Sequence, residues 1–114
     1  MEDIKQKGLE TVLEEAFQIA NFKTQGIHVS FSLDILDPEY APGVSAPEDD
    51  GITEEEAMQI NQFIIKNIED VVSYDLVEFN PLRDQNRKTE QICVNLLAQM
   101  IKAVEKKDKY KKIK

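Results

Sequence analysis

Hydrophobic and polar positions follow two periodicities along the chain, one typical of helices and one typical of strands. Between residues 8 and 22, apolar side chains recur every three or four positions, which predicts an amphipathic helix that buries one face. That face carries Leu9, Val12, Leu13, Ala16, Phe17 and Ala20. Residues 27–34 instead alternate strictly, which predicts a strand with two unlike faces. One face carries Ile27, Val29, Phe31 and Leu33, and the other carries His28, Ser30, Ser32 and Asp34.

The second half of the chain repeats both patterns. Thr53 and Glu56 have the spacing of a capping box, so a helix over 53–67 is predicted to begin there. Its apolar face carries Ala57, Ile60, Phe63, Ile64 and Ile68. A second strand is predicted over 71–79, before Asn80-Pro81, because proline lacks the backbone donor that a strand needs. A final helix over 89–107 is predicted to carry on one side Ile92, Cys93, Leu96, Leu97, Met100, Ile101 and Val104.

The predicted order is helix, strand, helix, strand, helix, which indicates an α/β fold. A helix between two strands favours a right-handed crossover and a parallel pair. A parallel sheet is normally wider than two strands and buried on both faces. Unpaired strand edges are templates for pairing with another chain. We therefore expect that the chain is a piece of something larger or that it completes its sheet with a partner.

Composition and charge narrow the functions that the chain can have. Its 114 residues are 41% hydrophobic, which suits one small domain. The formal charge is −8, but residues 106–114 carry +5, which leaves −13 on residues 1–105. Such an acidic body repels nucleic-acid phosphates. The basic tail is interpreted as a solvated helix end, with contact to an anionic partner as the alternative.

The compartment is predicted from what the chain lacks. No apolar run approaches the roughly 18 residues of a membrane span, so we expect no membrane partner. The single cysteine, Cys93, cannot form an internal disulfide, and the first residues lack the apolar stretch of a secretory signal. A cytoplasmic protein is expected.

Two acidic residues are candidates for chemistry. In open parallel sheets, ligands bind outside the carboxyl ends of the strands. Asp34 ends the first predicted strand and Glu78 lies near the end of the second, so both are expected to face one crevice. Carboxylates there suit Mg²⁺, Mn²⁺ or a cationic substrate. Simple solvation of the loops is the alternative for acidic residues at strand ends.

Read as continuous motifs, the same segments resemble the arginase and agmatinase (ureohydrolase) family. Residues 30–38, with the sequence SFSLDILDP, run into Ala41-Pro42-Gly43 and then Pro47 and Gly51, as in the family's last metal-binding motif. Residues 75–81, DLVEFNP, resemble its closing strand. Asp84, Lys88 and Thr89 then favour bacterial-type arginases over agmatinases. The resemblance covers about residues 8–105.

The resemblance implies a fold, a reaction and a set of roles. Residues 1–105 would be the C-terminal part of a three-layer arginase-like α/β sheet, parallel strands flanked by helices, and 106–114 a basic tail. The family hydrolyses the guanidinium of L-arginine to urea and ornithine with two Mn²⁺ ions. Asp34 would be a metal ligand, and Glu78 would bind the guanidinium of the substrate. The implied partner is a homo-oligomer, as in trimeric or hexameric relatives, or the missing N-terminal arginase segment.

Several departures from the family pattern predict that the chain alone is inactive. Ser32 stands where the family has the aspartate that bridges the two metals, and a neutral hydroxyl does not offset the repulsion between two dications. Ala46-Pro47 and Asp50-Gly51 also depart from the pattern, and the histidine-bearing metal motifs are absent. His28 precedes Asp34 by about 20 Å of strand, and we interpret it as an ordinary strand residue.

Four alternatives stay open. Ser32 could support a single-metal site. The chain could be a non-catalytic arginase-like pseudoenzyme, or a subunit that completes its fold with a partner chain. It could belong to an agmatinase-type amidinohydrolase. A plain helical interaction module would account for the helices but leave the motif matches unexplained.

Overall fold

Helices and strands alternate in the structure, a computed structural model that describes residues 8–44 and 50–113, with side chains as far as residue 107. The order is α1 (Leu9–Asn21), β1 (Ile27–Ser32), α2 (Glu54–Lys66), β2 (Val71–Val77) and α3 (Lys88–Ile113). Short 3-10 turns lie at Leu33–Ile35, Ile68–Asp70 and Pro81–Arg83. The predicted order of elements is confirmed. In the part of the chain described here, no helix has the length and apolar character to cross a membrane.

The two strands pair in parallel, as the helical crossover predicts. Phe31 lies opposite Leu76 and Ser32 opposite Val77, with one irregularity between Ile27 and His28. Over the described residues the sheet is two-stranded, in the order β1-β2. The predicted fold class, α/β with parallel strands flanked by helices, is confirmed.

Three element ends differ from the prediction. The strand β1 ends at Ser32 rather than 34, because the chain turns through Leu33–Ile35 and brings Leu33 fully into the core. The strand β2 ends at Val77, because Glu78 has a positive φ of 72° that a continuing strand cannot have. The helix α3 continues to Ile113, past the expected end at 107 and past the predicted division at 105, which stays a prediction.

The two faces of the sheet differ as the alternation predicts. Val29, Phe31, Tyr74 and Leu76 pack into the hydrophobic core, where they join side chains from α2 and α3. That core also contains Leu33, Leu36, Ala41, Val44, Ile52, Ala57, Ile64, Val71, Ile92, Leu96 and Met100. The opposite face carries the polar residues His28, Ser30, Ser73 and Asp75, whose side chains are exposed.

Hydrogen bonds tie that polar face together across the strands. The Ser30 hydroxyl donates to Asp75 Oδ1 at 2.6 Å, and His28 Nε2 lies 3.3 Å from Asp75 Oδ2. His28 Nδ1 and the Ser73 hydroxyl are 2.5 Å apart. These four side chains form the polar ladder of the sheet, a name kept below. His28 thus has polar partners within the sheet, near the start of β1 and away from its carboxyl end.

The helix α1 buries less than its amphipathic pattern predicts. None of its residues is fully buried, and Ala16 and Ala20 are exposed. Its main attachment is Phe17, whose ring meets Phe63 of α2 edge to face with centroids 5.1 Å apart. The helix therefore lies at the margin of the described core.

A buried asparagine joins three elements and was not expected from the apolar pattern. Asn61 of α2 is fully buried, and its amide nitrogen donates to the Leu96 carbonyl and to Gln99 Oε1 of α3. Its amide oxygen accepts from the hydroxyl of Tyr74 in β2. Burial raises the pKa of Tyr74 to about 12, so this hydroxyl stays a donor at neutral pH.

We expect Asn61→Ala to lower the free energy of unfolding by about 2–3 kcal/mol, because buried partners on Tyr74 and α3 would lose their hydrogen bonds. Denaturation in urea, followed by circular dichroism, measures this. Gln59→Ala, at an exposed position of the same helix, is the control and should change stability by less than about 0.5 kcal/mol. Equal losses in the two variants would contradict the role given to Asn61.

Candidate active site at the carboxyl ends of the strands

The first candidate residues lie where β1 ends. Ser32 is the last residue of the strand, and Asp34 lies in the turn that follows. The Ser32 hydroxyl donates to Asp34 Oδ1 at 2.5 Å, and the bond is partly buried. A charge-assisted bond of this kind holds the carboxylate in one orientation. Its second oxygen, Oδ2, is then the one left for another partner.

The next residues of the motif shape a turn. Asp37 Oδ1 accepts from the backbone N–H of Glu39, and the Asp37 carbonyl accepts from Tyr40 and Ala41. Gly51 passes so close to this turn that a Cβ would lie 2.4 Å from the Asp37 nitrogen. Only glycine avoids that overlap, so the close packing of the backbone explains why position 51 is a glycine.

Gly43 joins the loop after β1 to the segment after β2. Its N–H donates to the Thr89 hydroxyl at 2.8 Å, and its carbonyl accepts from the N–H of Asn80 at 2.6 Å. A Cβ on Gly43 would meet Asp84 Cβ at 2.9 Å and Thr89 Oγ1 at 3.0 Å. Next to it, Val44 forms an isolated bridge with Phe79. We call this set of contacts the Gly43 junction.

Asp84 fixes the start of α3 at the same junction. Its carboxylate accepts from the backbone N–H groups of Gln85, Thr89 and Glu90, at 2.9–3.0 Å. Desolvation by burial acts to raise the pKa of Asp84, but the hydrogen bonds from Thr89, Glu90 and Gln85 outweigh it and lower that pKa below its ordinary value. The charged carboxylate is therefore favoured in the folded chain.

The second candidate, Glu78, has an unusual backbone. It is exposed and follows the last residue of β2 with a φ of 72°, a left-handed conformation that costs a residue with a side chain about 1–2 kcal/mol. Such strain persists only where the neighbouring structure imposes it, and it is frequent at functional sites. The Phe79 bridge and the Gly43–Asn80 bond supply that constraint on the following residues.

The parallel register brings Asp34 and Glu78 to the same end of the sheet. Ser32 and Val77 are opposite each other, and the two candidates follow them by two residues and one residue. Four cavities are lined by described residues, and neither carboxylate lines any of the four. The expected crevice between them stays a prediction.

The described residues do not by themselves fit a dinuclear metal centre. Within residues 8–44 and 50–107, no three His, Cys, Asp or Glu side chains lie close enough together to hold a metal ion. Asp34 has a hydroxyl, not a second carboxylate, as its neighbour. Two metal ions at this edge would need ligands from outside these residues.

Sequence reasoning missed the Gly43 junction and the strain at Glu78. Asp84, five residues before Thr89, was noted only as part of a family resemblance, although an acidic residue just before a helix is a capping signal. No pattern of residue types marks a positive φ at a glutamate, so that feature needed the structure.

We expect Asp84→Ala to destabilise the chain by about 1 kcal/mol at neutral pH, as for other lost helix caps. Because folding lowers the pKa of Asp84, its contribution is present above the unfolded pKa of about 3.9 and is lost as the pH falls through the lower folded pKa. Urea unfolding of wild type and variant, at neutral pH and at successively lower pH, should therefore show a difference that shrinks with acid. The control is Asp70→Ala, at an exposed position before β2, and an equal pH dependence there would contradict the assignment.

We expect Glu78→Gly to raise the free energy of unfolding by about 0.5–1 kcal/mol, because glycine relieves the left-handed strain at some entropic cost. Glu78→Ala is the matched control, since it removes the carboxylate but keeps the strain and should give no gain. Both are measured by urea unfolding. A Glu78→Gly variant less stable than Glu78→Ala would show that the backbone there is unstrained.

Comparison with known proteins identifies the family. The model of the arginase family matches residues 1–102. Arginase from Bacillus caldovelox is 32% identical over 100 residues, which are 88% of this chain and 33% of the relative. Its solved structure superposes with a TM-score of 0.77 over 84% of this chain and 32% of that one, also at 32% identity.

Two relatives with other names match over similar lengths. The mitochondrial guanidino acid hydrolase of Mus musculus is 36% identical over 107 residues, 92% of this chain and 28% of the relative. The structure of agmatine ureohydrolase from Thermoplasma volcanium superposes with a TM-score of 0.74 at 30% identity, over 95% of this chain and 34% of that one. The chain thus spans about a third of the length of the relatives it matches. By its motifs, its α/β fold and these matches, the chain belongs to the arginase family.

Proposed function

We propose that the chain is a segment of an arginase-type ureohydrolase, which supplies Asp34 and Glu78 to a site that hydrolyses a guanidino compound to urea and an amine. The parallel register carries this proposal, because it puts both residues at the carboxyl end of neighbouring strands, where α/β proteins bind ligands. The cytoplasmic location stays a prediction.

Glu78 is proposed to bind the guanidinium of the substrate. A carboxylate can accept two parallel hydrogen bonds from this planar cation, which fixes both its position and its plane. The strained backbone at Glu78 supports the role, since strain is retained where a side chain must point in one direction. The bond from Asn80 to Gly43, two residues later, limits how far the segment can move.

Asp34 is proposed as one ligand of a manganese ion. Its Oδ1 is occupied by the Ser32 hydroxyl, which leaves Oδ2 to face a cation. The other ligands would come from the N-terminal arginase segment, on the same polypeptide or on another. Because the described residues do not complete the site, the catalytic step itself depends on groups outside them.

The substrate class is a linear guanidino compound. The named relatives are an arginase, a guanidino acid hydrolase and an agmatine ureohydrolase, and each name refers to a guanidino substrate. L-arginine, giving urea and ornithine, is the first candidate, because Asp84, Lys88 and Thr89 follow the bacterial arginase pattern. Agmatine is the alternative.

One observation favours a second function, that of a non-catalytic arginase-like subunit. By the resemblance to the family, Ser32 would stand at the position of the bridging ligand, and its hydroxyl donates a hydrogen bond to Asp34. A hydroxyl there brings no negative charge between two dications. In that case the fold would be kept for assembly, without hydrolysis.

We expect the isolated chain to release no urea from L-arginine, even with added Mn²⁺, because one carboxylate ligand cannot assemble two metal ions about 3.5–4 Å apart. Ser32→Asp should restore only weak Mn²⁺ binding, measured by equilibrium dialysis. Its matched control, Ser32→Asp with Asp34→Ala, should lose that binding. Urea release by the unmodified chain, abolished by Asp34→Ala or Glu78→Ala, would contradict the expected inactivity.

Complementation then separates the two functions. The chain is mixed with the part of Bacillus caldovelox arginase that it does not match, and urea release is measured with Mn²⁺. Activity that falls in Glu78→Gln, but not in Glu39→Gln at an exposed loop position, would support the ureohydrolase site. Assembly without urea, for both wild type and Ser32→Asp, would instead favour the non-catalytic subunit.

A further inference from the structure

Thr89 has a fully buried hydroxyl near the start of α3. In the part of the chain whose side chains are described, Asn61 and Thr89 are the buried polar side chains. Asn61 joins the core elements, whereas Thr89 faces the loop that leaves β1, through its bond from Gly43. A valine would fill nearly the same space without the cost of burying a hydroxyl. The oxygen of Thr89, and not its shape alone, therefore has a role in the Gly43 junction.

The Thr89 hydroxyl lies between a donor and a charged acceptor. The N–H of Gly43 donates to its oxygen at 2.8 Å, so the hydroxyl proton is left for another partner. That partner is the Asp84 carboxylate. Burial acts to raise the pKa of Asp84, but hydrogen bonds from backbone N–H groups and from the Thr89 side chain lower it. A charge at the end of such a series strengthens the bonds before it. Thr89 thus ties the backbone at Gly43 to the fixed charge of Asp84.

Glu78 is the single residue between two stretches of backbone that are held in place. Up to Val77, the strand β2 is held by its pairing with β1. From Phe79 onward the chain is held by the Gly43 junction, because Phe79 bridges to the residue after Gly43 and the Asn80 N–H donates to the Gly43 carbonyl at 2.6 Å. Any mismatch in direction between the two stretches falls on the dihedral angles of Glu78.

The side chain of Glu78 gives no local reason for its φ of 72°. Its carboxylate is exposed, and no described side chain or backbone group forms a hydrogen bond or an ion pair with it. Asparagine and aspartate adopt this conformation more readily, because their short side chains can bond to the nearby backbone. The left-handed conformation at Glu78 therefore comes from the backbone on either side.

We propose that Thr89 is a positioning residue of the candidate site, whose hydroxyl holds Gly43 and thereby keeps Glu78 in its left-handed conformation. Its bearing on guanidinium binding rests on the proposed function. A continuing strand has a negative φ, and a change of that size turns the bond from Cα to Cβ in a new direction. Thr89 thus has no contact with a ligand but sets the direction in which the Glu78 carboxylate leaves the chain.

The first test is a double-mutant cycle in urea unfolding of the 114-residue chain. In the wild type, Glu78→Gly should raise the urea midpoint, because it relieves the strain. In Thr89→Val, which keeps the shape of the side chain but lacks the hydroxyl, the same change should give at most about half that rise, since Glu78 can then relax. Thr89→Ser keeps the hydroxyl and should retain the full rise. A hydroxyl that only stabilises the fold would lower every midpoint and leave the rise unchanged.

The second test measures the conformation of Glu78 directly, by the NMR chemical shifts of its Cα and Cβ, which depend on φ. They should move in Thr89→Val and stay near the wild-type values in Thr89→Ser. Thr11→Val, at an exposed position of α1, is the matched control and should change neither these shifts nor the rise in midpoint. Circular dichroism checks each fold. If Thr89→Val does not fold, Asp84→Ala takes its place, because it removes the charged acceptor of the hydroxyl, and the same loss is expected.

Three results would overturn the proposal: no rise with Glu78→Gly in the wild type, a full rise in Thr89→Val, or Glu78 shifts that do not respond to Thr89→Val. Neither test depends on urea release. If both give the expected results but Glu78→Gln leaves the activity of the complemented assembly unchanged, the guanidinium role of Glu78 is wrong and the positioning by Thr89 stands.

Discussion

The close approach of backbone at Gly43 is the constraint on which the candidate site depends. The loop that leaves β1 and the segment that leaves β2 pass within hydrogen-bonding distance there, with Thr89 at the start of α3 as the third partner. A side chain at position 43 would overlap Asp84 and Thr89. Because that position has no Cβ, two loops and a helix share one anchor, and the segments that carry Asp34 and Glu78 are joined beyond the strands themselves. Asp84, with its lowered pKa, adds a fixed charge to the same anchor.

Features of the fold that depend on the burial of one face could be predicted from the sequence, whereas features that depend on particular tertiary partners could not. The apolar periodicities were sufficient for the element order and the parallel pair, because burial of one face decides both. They could not place Asn61 in the core, since a buried amide is stable only when particular partners surround it, and those partners lie on β2 and α3. They also overestimated how deeply α1 is buried: none of its residues is fully buried, and Phe17 is the one that packs against the core.

The candidate site was predictable as a set of residues and not as a geometry. The family motifs point to Asp34, Glu78 and the substituted Ser32, and all three lie at the carboxyl ends of β1 and β2. The bond between Ser32 and Asp34 and the left-handed backbone of Glu78 depend on local turns that no periodicity describes. A resemblance assigns residue types to roles, whereas the orientation of each carboxylate comes from the turn in which it lies.

The polar ladder on the open face of the sheet has a consequence for solubility and for evolution. His28, Ser30, Ser73 and Asp75 satisfy one another across the two strands, so this face can meet water without exposing an adhesive apolar surface. A purely apolar cover would still be unfavourable, because it would remove the half-exposed Asp75 carboxylate from water. Any layer that packs there has to be polar or to trap water. Replacement of one side chain of the polar ladder would leave its partner on the other strand without a hydrogen bond. Substitutions at these positions should therefore occur in pairs across the two strands rather than singly.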